Sequence, residues 1–249
     1  VQFSCLCSSA HTLQCSMAKL AALAIYRMDH LQNQENDLKE LVFCEDLTFL
    51  NFFMRGSVRE NIKFRGRLIA GRAARGKLIV VDMEGGLGKC YAFVHRDGVC
   101  AAAFTKGEYE QRVAHKLISN ALDAFVSNPS RWQSNALDAG LQQEVEELFT
   151  KFQDPEEADK LMKIQSQLAE VHAEVVKSMD ALLKRGESID ALIDKSSELS
   201  QGSKRFARMA KDNNGGCRSV ENHRSFIKND INVFSYVFLA IGRRFDDET

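Results

Sequence analysis

Proline is nearly absent: only Pro129 and Pro155 occur in 249 residues, both in the second half, so they act as punctuation between long uninterrupted stretches. Long apolar runs are missing too. The best, Val233 to Ile241, contains Ser235 and Tyr236 and is about half the ~18–20 residues a membrane-crossing helix needs. The segment before Met17 lacks a basic start and a continuous apolar core, which excludes a secretory signal. Charge of one sign is not in excess. With 33 basic and 34 acidic residues the formal net charge is -1, which excludes a protein-wide pull toward nucleic acid or an anionic membrane. No Cys-x-x-Cys pair exists among the seven cysteines, and Cys5 and Cys7 are separated by a single residue. That spacing argues against a zinc site and for free thiols in a reducing compartment; no metal and no cofactor is expected. What is present, 45% hydrophobic and 27% charged residues, is ordinary for a soluble globular protein.

The first half alternates short apolar runs with polar turns. Leu20–Tyr26 and Leu38–Asp46 read as strands around the polar stretch 30–37. Asn51–Arg75 has apolar residues at Val58, Ile62, Leu68 and Ile69, a helical stripe, with Phe64 off its axis and Gly76 as its stop. Leu78–Asp82, Cys90–Val94 and Val99–Phe104 read as three strands, the last two joined by the hairpin signal Asp97-Gly98. Glu108–Val126 reads as a helix that Ser127-Asn128-Pro129-Ser130 stops. The order β-β-α-β-β-β-α predicts an α+β domain, an antiparallel sheet of about five strands flanked by helices. Residues 135–152 read as a poorly patterned connector with helical propensity. The expected division is a domain over 17–134, a linker over 135–154, a helical motif over 155–214 and an unpatterned tail over 215–249. Met17 runs straight into a strand, so residues 1–16 are expected to be a non-native leader.

After Pro155 the character changes. With the register set on Arg185, alternating steps of four and three reach Ile189, Leu192, Ser196, Leu199, Ser203, Phe206 and Ala210 going forward. Going backward they reach Leu182, Ser178, Val175, Val171, Leu168, Ile164 and Leu161. Apart from Arg185, every position is apolar or small, while Lys, Glu, Asp and Gln occupy the flanks. This is the a/d seam of a coiled coil sustained for about seven heptads, a helix of roughly 75 Å if continuous. Arg185 is the single charge in the seam. A charge in a coiled-coil core costs stability unless partners satisfy it, and its best-attested use is to fix register.

Leu182-Leu183-Lys184-Arg185-Gly186-Glu187, then Asp190-Ala191-Leu192, Lys195-Ser196 and Leu199, resemble the central layers of an R-SNARE. Arg-Gly-Glu together with Ser203-Lys204-x-Phe206 is most similar to the prenylated YKT type of longin-class R-SNARE. Phe52-Phe53-Met54-Arg55-Gly56-Ser57-Val58 resembles that type's first longin helix, and Asp154-Pro155-x-x-Ala158-Asp159 its junction with the SNARE motif. The resemblance covers roughly residues 17–214. It implies a profilin-like longin domain followed by a long SNARE coiled-coil helix, and a function without chemistry. That function is pairing with three Q-SNARE helices (Qa, Qb and Qc) in a four-helix bundle that drives vesicle docking and membrane fusion. Arg185 would form its central polar layer, donating from a planar fork to three glutamine carbonyls between water-excluding apolar layers. The resemblance also implies handling by the SNARE disassembly machinery. The location it implies is the cytosolic face of Golgi, ER-derived, endosomal or vacuolar membranes, with a lipid anchor. It implies an inhibitory fold-back onto a longin surface that includes Phe64 and Leu68; an ordinary second-row core position is the other reading of Phe64.

Other candidates are weaker. Gly85-Gly86-Leu87-Gly88-Lys89 glances toward a phosphate loop, but Met83 and Cys90 stand where Gly and Ser/Thr are needed, and the segment joins two strands. His95 and Cys100 lack an orienting third group for nucleophilic catalysis, so no enzyme is read. Trp132 packs somewhere on the domain. A longin adaptor with a dimerising coiled coil is the competing function, which Ser178, Ser196, Ser203 and Arg185 disfavour in the seam. The YKT type ends in two adjacent cysteines within a C-terminal prenylation box. Here Gly216-Cys217 stands at that place and Arg218–Thr249 follows, so Cys217 is the lipid acceptor only if the native end lies near it. The tail is then an artefact of gene structure, or the chain is a soluble regulatory isoform.

Overall fold

The computed structural model describes residues 19–28, 38–83, 88–107, 109–133, 138–155, 158 and 173–214. Six strands form one sheet: β1 (Lys19–Met28), β2 (Leu38–Glu45), β3 (Leu78–Met83), β4 (Gly88–Val94), β5 (Val99–Lys106) and β6 (Ala173–Val176), in the spatial order β2-β1-β5-β4-β3-β6. The first five pair antiparallel, as the sequence predicts. The sixth is an addition: β6 lies parallel to β3, with Leu78 opposite Ala173 and Val81 opposite Val176.

Both faces of the sheet are covered, which is why its strands read as nearly continuous apolar runs rather than clean alternations. Ala22, Ala24, Tyr26, Ile79, Val81, Cys90, Ala92, Cys100, Ala102 and Phe104 join the core under helix α1 (Phe52–Arg72). Leu20, Leu23, Ile25, Val80, Tyr91, Ala101 and Ala103 join the opposite core, under α2 (Gln111–Val126) and α4 (Ala139–Lys151). The small residues on the first face let α1 sit close. At Gly66 a Cβ would collide with the Tyr26 hydroxyl, so only glycine fits that contact.

Helix α1 ends at Arg72, earlier than Gly76, because Ala73 turns extended while its N–H still reaches the Ile69 carbonyl. Gly76 instead turns the chain into β3. The hairpin at Asp97-Gly98 forms as read, with the His95 N–H donating to the Val99 carbonyl at 2.8 Å.

The stretch read as a connector holds more structure than its pattern promised. A short helix α3 (Ser130–Gln133) buries Trp132, whose indole N–H donates to the Phe125 carbonyl at 2.7 Å. In α4, Leu141, Val145 and Phe149 recur at i, i+4, i+8 and are buried. Asp138 caps its start by accepting from the Gly140 and Leu141 N–H groups. The Tyr109 hydroxyl donates to the Phe152 carbonyl at 2.7 Å, tying the helix end to the domain.

In place of one long helix, residues 173–214 are folded in pieces. After β6 comes a 3-10 turn over Met179–Leu182, then α5 (Ile189–Lys195) and α6 (Gln201–Asn214). The reason is physical: a one-stripe amphipathic helix has nothing to bury its stripe against alone, and here it breaks wherever breaking lets apolar residues reach the core of the preceding domain.

Candidate functional site

The site is the contact between the seam and α1. Of the seam positions, Ile189, Leu199, Ser203 and Ala210 are buried, at 0%, 5%, 0% and 7% exposure. Leu182, Leu192 and Phe206 are half-buried and pack on the same core as α1, which also takes Phe64 and the buried Leu68. Ser178 and Ser196 are partly covered, and Val175 is 59% exposed. Arg185 is exposed, in the turn between Leu182 and α5. Leu161, Ile164, Leu168 and Val171 lie outside the described residues, as do the glycines 85 and 86 of the β3–β4 connection and the tail with Cys217.

Polar contacts fix the register of this docking. The fully buried Asn61 side chain on α1 donates to the Ser203 carbonyl at 3.0 Å and to its own Ser57 carbonyl at 2.8 Å. Glu60, next to Asn61 on α1, accepts the Ser200 N–H at 2.8 Å. Ser200 immediately precedes α6, and its hydroxyl accepts the Ser203 N–H at 3.2 Å. The Glu60 carboxylate therefore stands at a helix N-terminus, where negative charge is favoured. Hydrogen bonds from Ser203 and Ser200 hold its pKa below the ordinary value.

A row of ion pairs flanks the groove. Arg67 pairs with Glu198, Arg72 with Glu187 at 2.9 Å, and Lys77 with Glu174 at 3.9 Å. On the outer side Asp194 pairs with Arg208 and Asp190 with Lys211, holding α5 against α6.

The seam alone misses half of the docking stripe. Val176, Met179, Ile193 and Ala207 are also buried against the α1 core, and each follows a seam position by one residue. For three of the four the signal was present as doubled residues: Val175-Val176, Leu192-Ile193 and Phe206-Ala207 are apolar pairs, wider than an a/d seam needs, whereas Met179 follows Ser178.

Cys100 is fully buried and its thiol is pushed up to about 12 by burial, the wrong direction for a nucleophile. His95 accepts from the Asp97 N–H at the exposed hairpin. Among the described residues no group of three or more His, Cys, Asp or Glu could hold a metal ion, and no helix is long and apolar enough to cross a membrane.

Residues 160–215 match the family model described as Synaptobrevin. The chain is 33% identical over 199 residues to the "Synaptobrevin homolog YKT6" of Eremothecium gossypii, covering 78% of this chain and 98% of the relative. The "VAMP-like protein YKT61" of Arabidopsis thaliana is 37% identical over 176 residues, covering 70% of this chain and 87% of the relative. The "Synaptobrevin homolog YKT6" of Saccharomyces cerevisiae is 31% identical over 199 residues, with coverage of 78% and 98%. With matches of that length running through both the sheet domain and the seam, the chain belongs to the YKT6-type synaptobrevin homologues, longin-class R-SNAREs of vesicle transport.

Proposed function

We propose that this SNARE alternates between a closed form, in which its seam is sequestered on its own longin domain, and an assembled form. In the assembled form residues 161–210 make one helix with three Q-SNARE helices, Qa, Qb and Qc. Arg185 is the central polar layer, donating to three glutamines, and the apolar seam residues are the layers on either side. Each large side chain that enters the bundle core contributes ~1.5–3 kcal/mol, offset in part by ordering the helix. The remainder is available to draw two membranes together. Disassembly then returns the chain to its closed form. The proposed setting is the cytosolic face of Golgi, ER-derived, endosomal or vacuolar membranes, with Cys217 as lipid acceptor where the native end permits it.

One observation carries this reading. Ile189 and Leu199 are buried in the core under α1 and Ser203 is buried against Asn61 of α1, so the same side chains cannot simultaneously line a four-helix bundle. The longin domain thereby lowers apparent affinity for Q-SNAREs by the fraction of chains that are open. The test is to mix the chain with three Q-SNARE motifs and, separately, to measure its self-association. Formation of a 1:1:1:1 helical complex supports the reading. Dimerisation alone, with no complex, favours the adaptor.

A further inference from the structure

Gly186 has φ +91° in the turn that carries Arg185. That is the left-handed region, which residues with a Cβ adopt at a cost of about five- to thirtyfold in population. The turn is held by its neighbours. The Glu187 N–H donates to the Lys184 carbonyl at 3.0 Å, the Glu187 carboxylate accepts the Lys184 N–H at 3.1 Å, and the same carboxylate reaches across to Arg72. Yet the heptad runs through Arg185 and Gly186 without a skip, from Leu182 to Ile189. A continuous helix through that register requires Gly186 to return to a φ near −63°.

We propose that Gly186 is the hinge on which the chain changes between docked and assembled forms, and that glycine is required there because one residue must serve two backbone conformations of opposite sign. With Gly186 at positive φ, Arg185 is exposed, Ser188 caps α5, and Ile189 and Ile193 reach the α1 core. Return of Gly186 to a helical φ, with Leu183 and Ser188 leaving their extended ψ of 158° and 150°, rejoins the Leu182 and Ile189 layers and brings Arg185 into the seam between them; of the three, Gly186 alone must change the sign of φ. A Cβ on Gly186 would meet nothing within 4 Å, so a substitution there acts through the backbone alone and leaves the packing intact. The inference rests on the closed form described under the proposed function and adds the residue that governs it.

The test is native-state hydrogen exchange on the full chain, comparing wild type, Gly186→Ala, Gly186→Asn and Phe64→Glu. The readout is protection of the amides in β6 and α6, with the β1–β5 amides as a folding control. Gly186→Ala is expected to lower β6 and α6 protection about tenfold and to leave β1–β5 unchanged. Gly186→Asn, which tolerates the left-handed region, is expected to lower it only about two- to threefold. In the assembled bundle the order differs, because alanine in a helix interior is favoured over glycine by about fivefold. Equal protection in wild type and Gly186→Ala, with protection lost in Phe64→Glu, overturns the hinge and leaves the closed form standing. Unchanged protection in all three variants overturns both.

Discussion

Asn61 on the first longin helix and Ser203 in the seam are joined by a hydrogen bond of 3.0 Å between two fully buried residues, 142 positions apart in sequence. This is the polar pin of the docked segment. Asn61→Ala removes a donor without adding bulk and is expected to weaken docking by about 1 kcal/mol. Exchange of the α6 amides should quicken by roughly fivefold, with the β1–β5 ladder unaffected. Unchanged α6 exchange would show that the apolar stripe alone sets the register.

Phe64 lies half-buried beside the residues that receive the seam. A carboxylate there loses apolar contact and must keep water, so Phe64→Glu should open the docked segment and raise the rate of Q-SNARE binding. Stopped-flow binding measures it. A rate equal to or below wild type would count against sequestration by the longin domain.

Arg185 is exposed in the closed form. Arg185→Leu should therefore leave the free chain's stability within about 0.5 kcal/mol. In the bundle an apolar replacement of a buried charge is often neutral or stabilising, so specificity or recycling should suffer before melting temperature does. Thermal denaturation of free chain and bundle separates the two states; a large drop in the bundle's melting temperature would contradict the role given to Arg185.

The Glu60 contact gives docking a pH dependence of known sign. Its carboxyl is held below the ordinary value in the docked form by Ser203 and Ser200. That stabilisation is present above the free carboxyl's pKa and is lost as pH falls through the lowered one. Acidification should loosen α6 in wild type more than in Glu60→Gln, which α6 exchange at several acidic pH values would measure. Parallel profiles would remove Glu60 from the docking account.

Most of the longin fold is legible in the sequence. The hairpin turn at Asp97-Gly98, the apolar strand runs and the α2 stripe each follow from local pattern, and local pattern is what those elements obey. The sheet's sixth strand is not legible. Ala173–Val176 belongs to a helical heptad, and it pairs with β3 because an open sheet edge and a nearby apolar groove outweigh a helix with nothing to pack against. Helix α4 was obscured by a short stripe of three residues in a polar, Gln- and Glu-rich setting. In the seam, the register pointed to Ile189, Leu199, Ser203 and Ala210. The neighbouring Val176, Met179, Ile193 and Ala207 serve docking instead, a second demand on the same 42-residue stretch 173–214 that a single coiled-coil template does not contain.

In the proposed cycle, docking on the longin domain and assembly with Q-SNAREs exclude one another. Hydrogen exchange across 173–214 and β3, before and after mixing the chain with three Q-SNARE motifs and read together with circular dichroism, tests this exclusion. A marked gain of helix, loss of protection at the β3 amides that face β6, and deep protection of residues 189–210 in the bundle are expected. A complex that forms while the β3–β6 ladder stays protected, or that forms without gain of helix, would contradict the exclusion.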